Sequence, residues 1–133
     1  MAKESQEQAI WLTQAESDFK DAKLLWENHR YGASILFYQQ AVEKIIKAYI
    51  VKTKKVVPRK SHRIEILLGD AGLNASETEK TEGIKVEELS KAYIRVRYPD
   101  LNRQYYQRRD RVEPLVKLSE TLYLWVKTKF KKN

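Results

Sequence analysis

ASILFYQQAVEKIIKAYIVK, residues 33–52, is the stretch on which the fold turns. Phe37, Tyr38, Ala41, Val42, Ile45, Ile46, Ala48 and Tyr49 fall on a wide apolar arc at helical spacing, broken by Gln39, Gln40, Glu43, Lys44 and Lys47. A half-buried strand would alternate at period two over a shorter run, so the spacing predicts a long amphipathic helix at the centre of the domain.

Upstream, over residues 6–29, Trp11, Ala15, Phe19, Ala22, Leu25 and Trp26 recur at steps of three and four, with Glu16, Lys20, Lys23 and Glu27 on other faces. This predicts a surface helix with one buried stripe, ending over residues 28–32 with Gly32 as the flexible joint. A short joint between two long helices implies an antiparallel pair. Downstream, Val56-Val57-Pro58 in the lysine-rich residues 52–60 disfavours helix before the proline. A third helix is expected from an N-cap at Ser61, burying Ile64, Ile66, Leu67 and Leu68 and ending at Gly69 or Gly72. Residues 74–83 are polar, with Ser76 and Glu79 spaced as a capping box, and read as a loop or a short solvated helix. Val86, Leu89, Ala92, Tyr93 and Val96 again have helical spacing, and Pro99 is expected to stop that helix at about Arg97. Residues 101–111 are aromatic, basic and non-periodic, a connection to a last helix. That helix should begin near Asp110 or Val112, hold Pro114 in its first turn and run through Leu115, Leu118, Leu122, Trp125 and Val126 to Phe130. The expectation is an all-α, up-and-down bundle of four to five helices, one domain over residues 1–133.

Composition narrows the chemistry. With 42% hydrophobic and 33% charged residues the chain reads as globular, and without cysteine it has no disulfide, thiol nucleophile or thiolate metal site. No stretch approaches the roughly 18 apolar residues of a membrane span and the first residues lack a signal-type run, so a cytoplasmic protein with no membrane partner is expected. The only histidines, His29 and His62, do not form a metal-binding pair, and the four glycines make no phosphate-binding loop. Metal, cofactor and catalytic residues are accordingly expected to be none.

The formal charge of +8 is unevenly spread. Residues 52–63 hold six Lys/Arg and no acid, residues 65–88 hold seven acids against Lys80 and Lys85, and residues 91–111 hold seven basic residues against Asp100 and Asp110. His62, after Arg59 and Lys60 at a loop–helix junction, reads first as a histidine that orients the turn and second as a phosphate contact. Lys44 and Lys47 read as a surface feature of the second helix, with Glu43–Lys47 a helix-supporting ion pair, unless Arg97 and Tyr98 converge on them. Arg95, Arg97, Arg103, Arg108, Arg109 and Arg111, interleaved with Tyr93, Tyr98, Tyr105 and Tyr106, fit either a nucleic-acid groove, where guanidinium holds phosphate and phenol stacks on bases, or a dimer seam.

Tyr38-Gln-Gln-Ala-Val-Glu-Lys-Ile-Ile-Lys-Ala-Tyr49, with the Ala15…Asp18…Ala22…Leu25 helix, Pro58…His62…Leu67 and Tyr93…Arg97-Tyr-Pro-Asp100, resembles the HEPN domain, the higher eukaryotes and prokaryotes nucleotide-binding module, over residues 7–125. The resemblance implies a helical bundle that dimerises, often encoded beside a minimal nucleotidyltransferase in a toxin–antitoxin-like pair. Some members are metal-independent ribonucleases that use an arginine followed four to six residues later by a histidine. Here no histidine follows His62, and Arg30 and Arg59 have the wrong spacing to it. The expectation is therefore a noncatalytic, homodimeric HEPN-like protein that binds a nucleotide or RNA, with Lys44, Lys47, Arg59, Lys60, His62, Arg63, Arg95, Arg97 and Tyr98 as phosphate-binding candidates, or that partners a nucleotidyltransferase. The alternatives are a ribonuclease toxin with a non-standard site and a structural dimeric adaptor.

Overall fold

The central helix is longer than its apolar arc: α2 runs Tyr31–Lys54. The computed structural model describes residues 2–98 and 105–131, which are helical without strands. Before α2 lies α1, Ala2–Glu27, and after it come α3, Ile64–Ala71, α4, Ser76–Glu82, α5, Glu87–Arg95, and α6, Arg109–Lys131. The polar residues 74–83 thus do form a short helix. Pro99, Asp100 and Arg103, which figured in the reading of the sequence, lie outside the described residues.

Three long helices carry the bundle. Ser34 Oγ donates to the Ala22 carbonyl at 2.8 Å, Lys44 pairs with Asp18, and Lys47 lies over the Trp11 ring, so α1 and α2 run antiparallel. Ala15 and Ala22 are fully buried, and their small side chains let the two backbones approach. The α6 helix runs parallel to α2: Tyr38 Oη donates to Glu120 Oε2 at 3.0 Å, and one end further along Tyr49 meets Phe130 edge-on at 5.6 Å. Phe19 of α1 closes the layer, stacked on Tyr123 at 4.1 Å and edge-on to Tyr38 at 5.7 Å. Val96, just past the end of α5, lies against Gly32 near the start of α2.

Because α1, α3, α5 and α6 all contact it, α2 is buried nearly all round. Its polar residues Gln39, Glu43 and Lys47 are buried with the rest. The Glu43–Lys47 ion pair expected on the surface is an interior one, with both side chains 6% exposed.

Several boundaries differ from expectation for stated reasons. The α1–α2 joint is made by His29 at φ 61°, not by Gly32. Arg30 N donates to Leu25 O and His29 N to Trp26 O, the paired bonds of a left-handed helix end, a position glycine or asparagine usually fills. Gly32 lies inside α2, where an added Cβ would stand 3.3 Å from both Tyr106 O and Val96 Cγ2. Ser61 is not the cap of α3, because Arg63 holds that position and the Ile64 amide is satisfied by Ser90 Oγ of α5 at 2.9 Å. Ser76 opens α4 rather than capping it: Asn74 Oδ1 accepts the Ser76 amide and Glu79 Oε2 turns to the Val86 amide at 2.8 Å. The α6 helix starts at Arg109, so Pro114 sits in its second turn.

Candidate nucleic-acid interface

Gln39, Glu43 and Lys47 stand four residues apart, one above another on a single line of α2. Glu43 Oε2 accepts from Lys47 Nζ at 2.9 Å, and Glu43 Oε1 lies 2.9 Å from His62 Nδ1. Gln39 Nε2 donates to the His62 carbonyl at 2.8 Å and reaches Glu43 Oε1 at 3.5 Å. Turning the Gln39 amide over would set its oxygen against that carbonyl and carboxylate, so the orientation is fixed; it leaves Gln39 Oε1 buried without a partner among the described residues. The Lys47 ammonium completes its surroundings over the Trp11 ring, 5.2 Å from the centroid. The segment before α3 is thus clamped to α2 through both the backbone and the ring of His62.

With Nδ1 directed at a buried carboxylate, the neutral imidazole carries its proton there and keeps Nε2 as the basic nitrogen. The His62 side chain is 56% exposed. Its ring stacks on Tyr93 of α5 at 4.4 Å and 21°, and the Arg97 guanidinium lies over the same Tyr93 ring, 4.9 Å from the centroid. Tyr93 and Arg97 are one helical turn apart, which aligns the phenol and the cation. An imidazole and a guanidinium that has no carboxylate partner among the described residues therefore both contact the Tyr93 ring, with the interior Lys47–Glu43 pair behind the imidazole.

The other candidates are distributed differently. Lys44 holds Asp18 of α1 at 2.7 Å. Arg59 makes a two-pronged contact with Asp70, both distances 2.9 Å. Arg63 pairs with Glu65 at 2.8 Å. Burial pushes the Glu65 carboxyl up, but the Ser90 hydroxyl, a backbone amide and Arg63 outweigh it and hold the group below its usual range. Arg95 lies with Tyr106, Glu88 and Arg111 around a separate hollow. Burial raises the Tyr106 phenol, and Arg95 partly opposes that. Arg108 pairs with Asp110, Arg109 lies over Trp26 and Arg111 over Tyr105. The basic, tyrosine-rich segment is therefore a set of separate contacts rather than one patch. Lys60 and Tyr98 are exposed, Tyr98 at 57%. The structure links Lys47 to His62 through Glu43, sets Arg97 on the Tyr93 ring that His62 also contacts, and holds Lys44, Arg59, Arg63 and Arg95 in structural pairings.

A cavity of about 560 Å³ lies between the start of α2 and the end of α5, walled by His29, Arg30, Tyr31, Leu36, Val96 and Arg97. His29 Nδ1 is hydrogen-bonded to Tyr31 Oη at 2.7 Å, and the Tyr31 ring packs on Trp26 at 4.9 Å. Arg97 belongs to both this cavity and the His62–Tyr93 surface. Among the described residues, no group of three His, Asp or Glu side chains is arranged to hold a metal ion, and no helix is long and apolar enough to cross a membrane.

The HEPN domain profile matches residues 8–129, nearly the whole chain. The chain belongs to the HEPN domain family. No curated protein and no solved structure matches it. In this HEPN domain His62 is supported by a carboxylate from α2 and stacks on a tyrosine that an arginine beyond α5 also contacts, an arrangement that a search for an arginine a few residues upstream of a histidine does not see. Glu43 and Gln39, absent from the sequence-derived site, are the residues that hold His62. Their signal was the unbroken polar line at four-residue spacing on an otherwise apolar helix. The Arg30 cavity had no local signal, since its walls come from three separate stretches.

Proposed function

We propose that this HEPN domain is an RNA- or nucleotide-binding module whose phosphate-facing surface is His62, Tyr93 and Arg97, with exposed Lys60 nearby in sequence. The observation that carries the reading is the shared Tyr93 ring, contacted both by the imidazole and by a guanidinium that forms no ion pair among the described residues. Guanidinium groups bind phosphate oxygens through charge-assisted hydrogen bonds. Fluorescence anisotropy of single-stranded RNA at a series of salt concentrations tests it. Affinity should fall linearly with salt on logarithmic axes, and Arg97→Ala should flatten that slope by about one phosphate contact. No binding at low salt, or an unchanged slope in Arg97→Ala, refutes it.

A second reading, metal-independent RNA cleavage, is favoured by the Glu43–His62 contact. Nε2 would take the proton of a ribose 2′-hydroxyl, the 2′-oxygen would bond to phosphorus as the P–O5′ bond breaks, and the 5′-oxygen would recover the proton, leaving a 2′,3′-cyclic phosphate. Incubation with RNA in chelator, beside His62→Gln, decides it: equal background in both samples removes the enzyme, and the module is then noncatalytic. The reading further includes a homodimer and a minimal nucleotidyltransferase partner in a toxin–antitoxin-like pair, supported by the family and by the exposed apolar Ile10 and Leu24 of α1. A monomeric mass in solution would remove the dimer, and an unrelated neighbouring gene would remove the partner.

A further inference from the structure

We infer that the cavity between α2 and α5 is a phosphomonoester site, taking a free nucleoside monophosphate or the phosphorylated end of an RNA strand, with Arg30 as the residue that selects the doubly charged phosphate. Its volume, about 560 Å³, lies within the range of small-molecule pockets. Two arginines from separate parts of the fold, Arg30 and Arg97, line its wall, and no carboxylate does so among the described residues. That sets Arg30 and Arg97 apart from Arg59, Arg63 and Arg108, each of which lies against an acid. Among the described residues Arg30 makes no ion pair or side-chain hydrogen bond, and the Arg97 guanidinium lies over the Tyr93 ring without an ion pair. The apolar side of the wall, Leu36 and Val96, offers cover to a sugar or base, while Gln107 can both donate and accept.

The charge of the ligand follows from this balance. A phosphomonoester carries about −1.5 to −2 near neutral pH, because its second pKa is about 6. A phosphodiester inside a strand carries about −1. Two arginines without a counter-ion among the described residues of the wall favour the dianion, and a planar fork binds two of its oxygens at once. The free-nucleotide form of the inference stands alone. The strand-end form rests on the RNA-binding reading, because Arg97 would then contact the strand on the His62 face and deliver its end into the cavity.

The test uses the full chain, titrated calorimetrically with AMP, adenosine and the diester 3′,5′-cyclic AMP, and by anisotropy with one oligoribonucleotide bearing 5′-phosphate, 3′-phosphate or only hydroxyl ends. Binding of a monoester roughly tenfold or more tighter than its hydroxyl or diester counterpart is expected, as one charge-assisted pair of contacts implies. Arg30→Gln should abolish that preference and leave hydroxyl-ended RNA binding unchanged. Arg30→Lys, which keeps the charge and loses the fork, should retain part of it. A preference confined to AMP identifies the free nucleotide, and one confined to end-phosphorylated RNA identifies the strand end. Equal affinities within every pair, no binding of any monoester, or a preference that survives Arg30→Gln overturns the inference. If hydroxyl-ended RNA fails to bind while AMP is still preferred, the RNA reading falls and the cavity site stands.

Discussion

Glu43 holds two neighbours, the exposed ring of His62 and the interior ammonium of Lys47, and it is the second that depends on it. Its side chain is 6% exposed, as is that of Lys47, so replacing it with alanine leaves an ammonium in the interior with only the Trp11 ring beside it. Breaking such a pair from one side costs about 3–5 kcal/mol, whereas replacing both charges with apolar groups of similar volume is far milder. Urea unfolding should therefore show Glu43→Ala strongly destabilised, and Glu43→Leu/Lys47→Met recovering most of the loss. A loss under about 1 kcal/mol in the single variant would mean that Lys47 reaches water. The same carboxylate sets the tautomer of His62, so stability and the chemistry of the exposed imidazole are linked through one residue. This linkage was half legible in the sequence. The four-residue spacing of Gln39, Glu43 and Lys47 was plain, but charged side chains on a helix read by default as solvated. Nothing local announced that the segment carrying His62 on one side and Trp11 on the other would cover them.

At the scale of helices, the ends show where local signals suffice. Gly72 and Gly83, at φ 70°, terminate α3 and α4, as their residue type allows. Lys55 terminates α2 in the same left-handed region at φ 58°. An L-residue there costs about 1–2 kcal/mol relative to glycine, while glycine costs roughly 0.5–1 kcal/mol more in lost chain freedom on folding. The first effect wins, so Lys55→Gly should stabilise the domain by about 0.5 kcal/mol, seen as a higher urea midpoint with an unchanged slope. The beginning of α3 shows the opposite case. Its first amide is capped by Ser90, 26 residues downstream of Ile64, and that hydroxyl also donates to Glu65 Oε1 at 2.7 Å. Removing it in Ser90→Ala should cost about 1–2 kcal/mol. The Glu65 carboxyl, held below its ordinary value of 4.5, should move upward in an NMR titration. Since a depressed carboxyl stabilises the fold above its unfolded pKa and loses that contribution as pH falls through the folded one, the carboxyl's share of the Ser90→Ala loss should be full above about pH 4.5 and should shrink as pH falls below it. A cap supplied by another helix leaves no pattern in the sequence, which is why Ser61 looked the better candidate.

For the whole molecule, the aromatic layer between α1, α2 and α6 governs behaviour at high pH. Burial, and then the charge of Glu16, pushes the Tyr123 phenol up to about 12, and burial with Glu120 raises that of Tyr38 as well. A raised phenol contributes stability that is complete below its unfolded pKa of 10.0 and is lost as pH rises through the folded value. Between about pH 10 and 12 stability should fall, each such tyrosine adding up to about 1.4 kcal/mol per pH unit to the slope. Tyr123→Phe, which removes a hydroxyl without a hydrogen-bond partner among the described residues, should shift the alkaline unfolding midpoint upward. An unchanged midpoint would mean that the phenol ionises freely. The bundle itself was legible from periodicity, because burial on one side leaves its trace in every turn of a helix. The parallel course of α2 and α6 was not, since it depends on what crosses between elements far apart in the chain.

That parallel course has an electrostatic result. Two long helices that end side by side place two negative backbone poles at one end of the bundle. Lys52 reaches across this end, its Nζ donating to the Phe130 carbonyl at 2.8 Å, and Lys54, Lys129 and Lys131 occupy the final turns of the same two helices. These lysines act as counter-ions to the protein's own peptide groups. The formal charge of +8 therefore overstates the pull on a polyanion at that end.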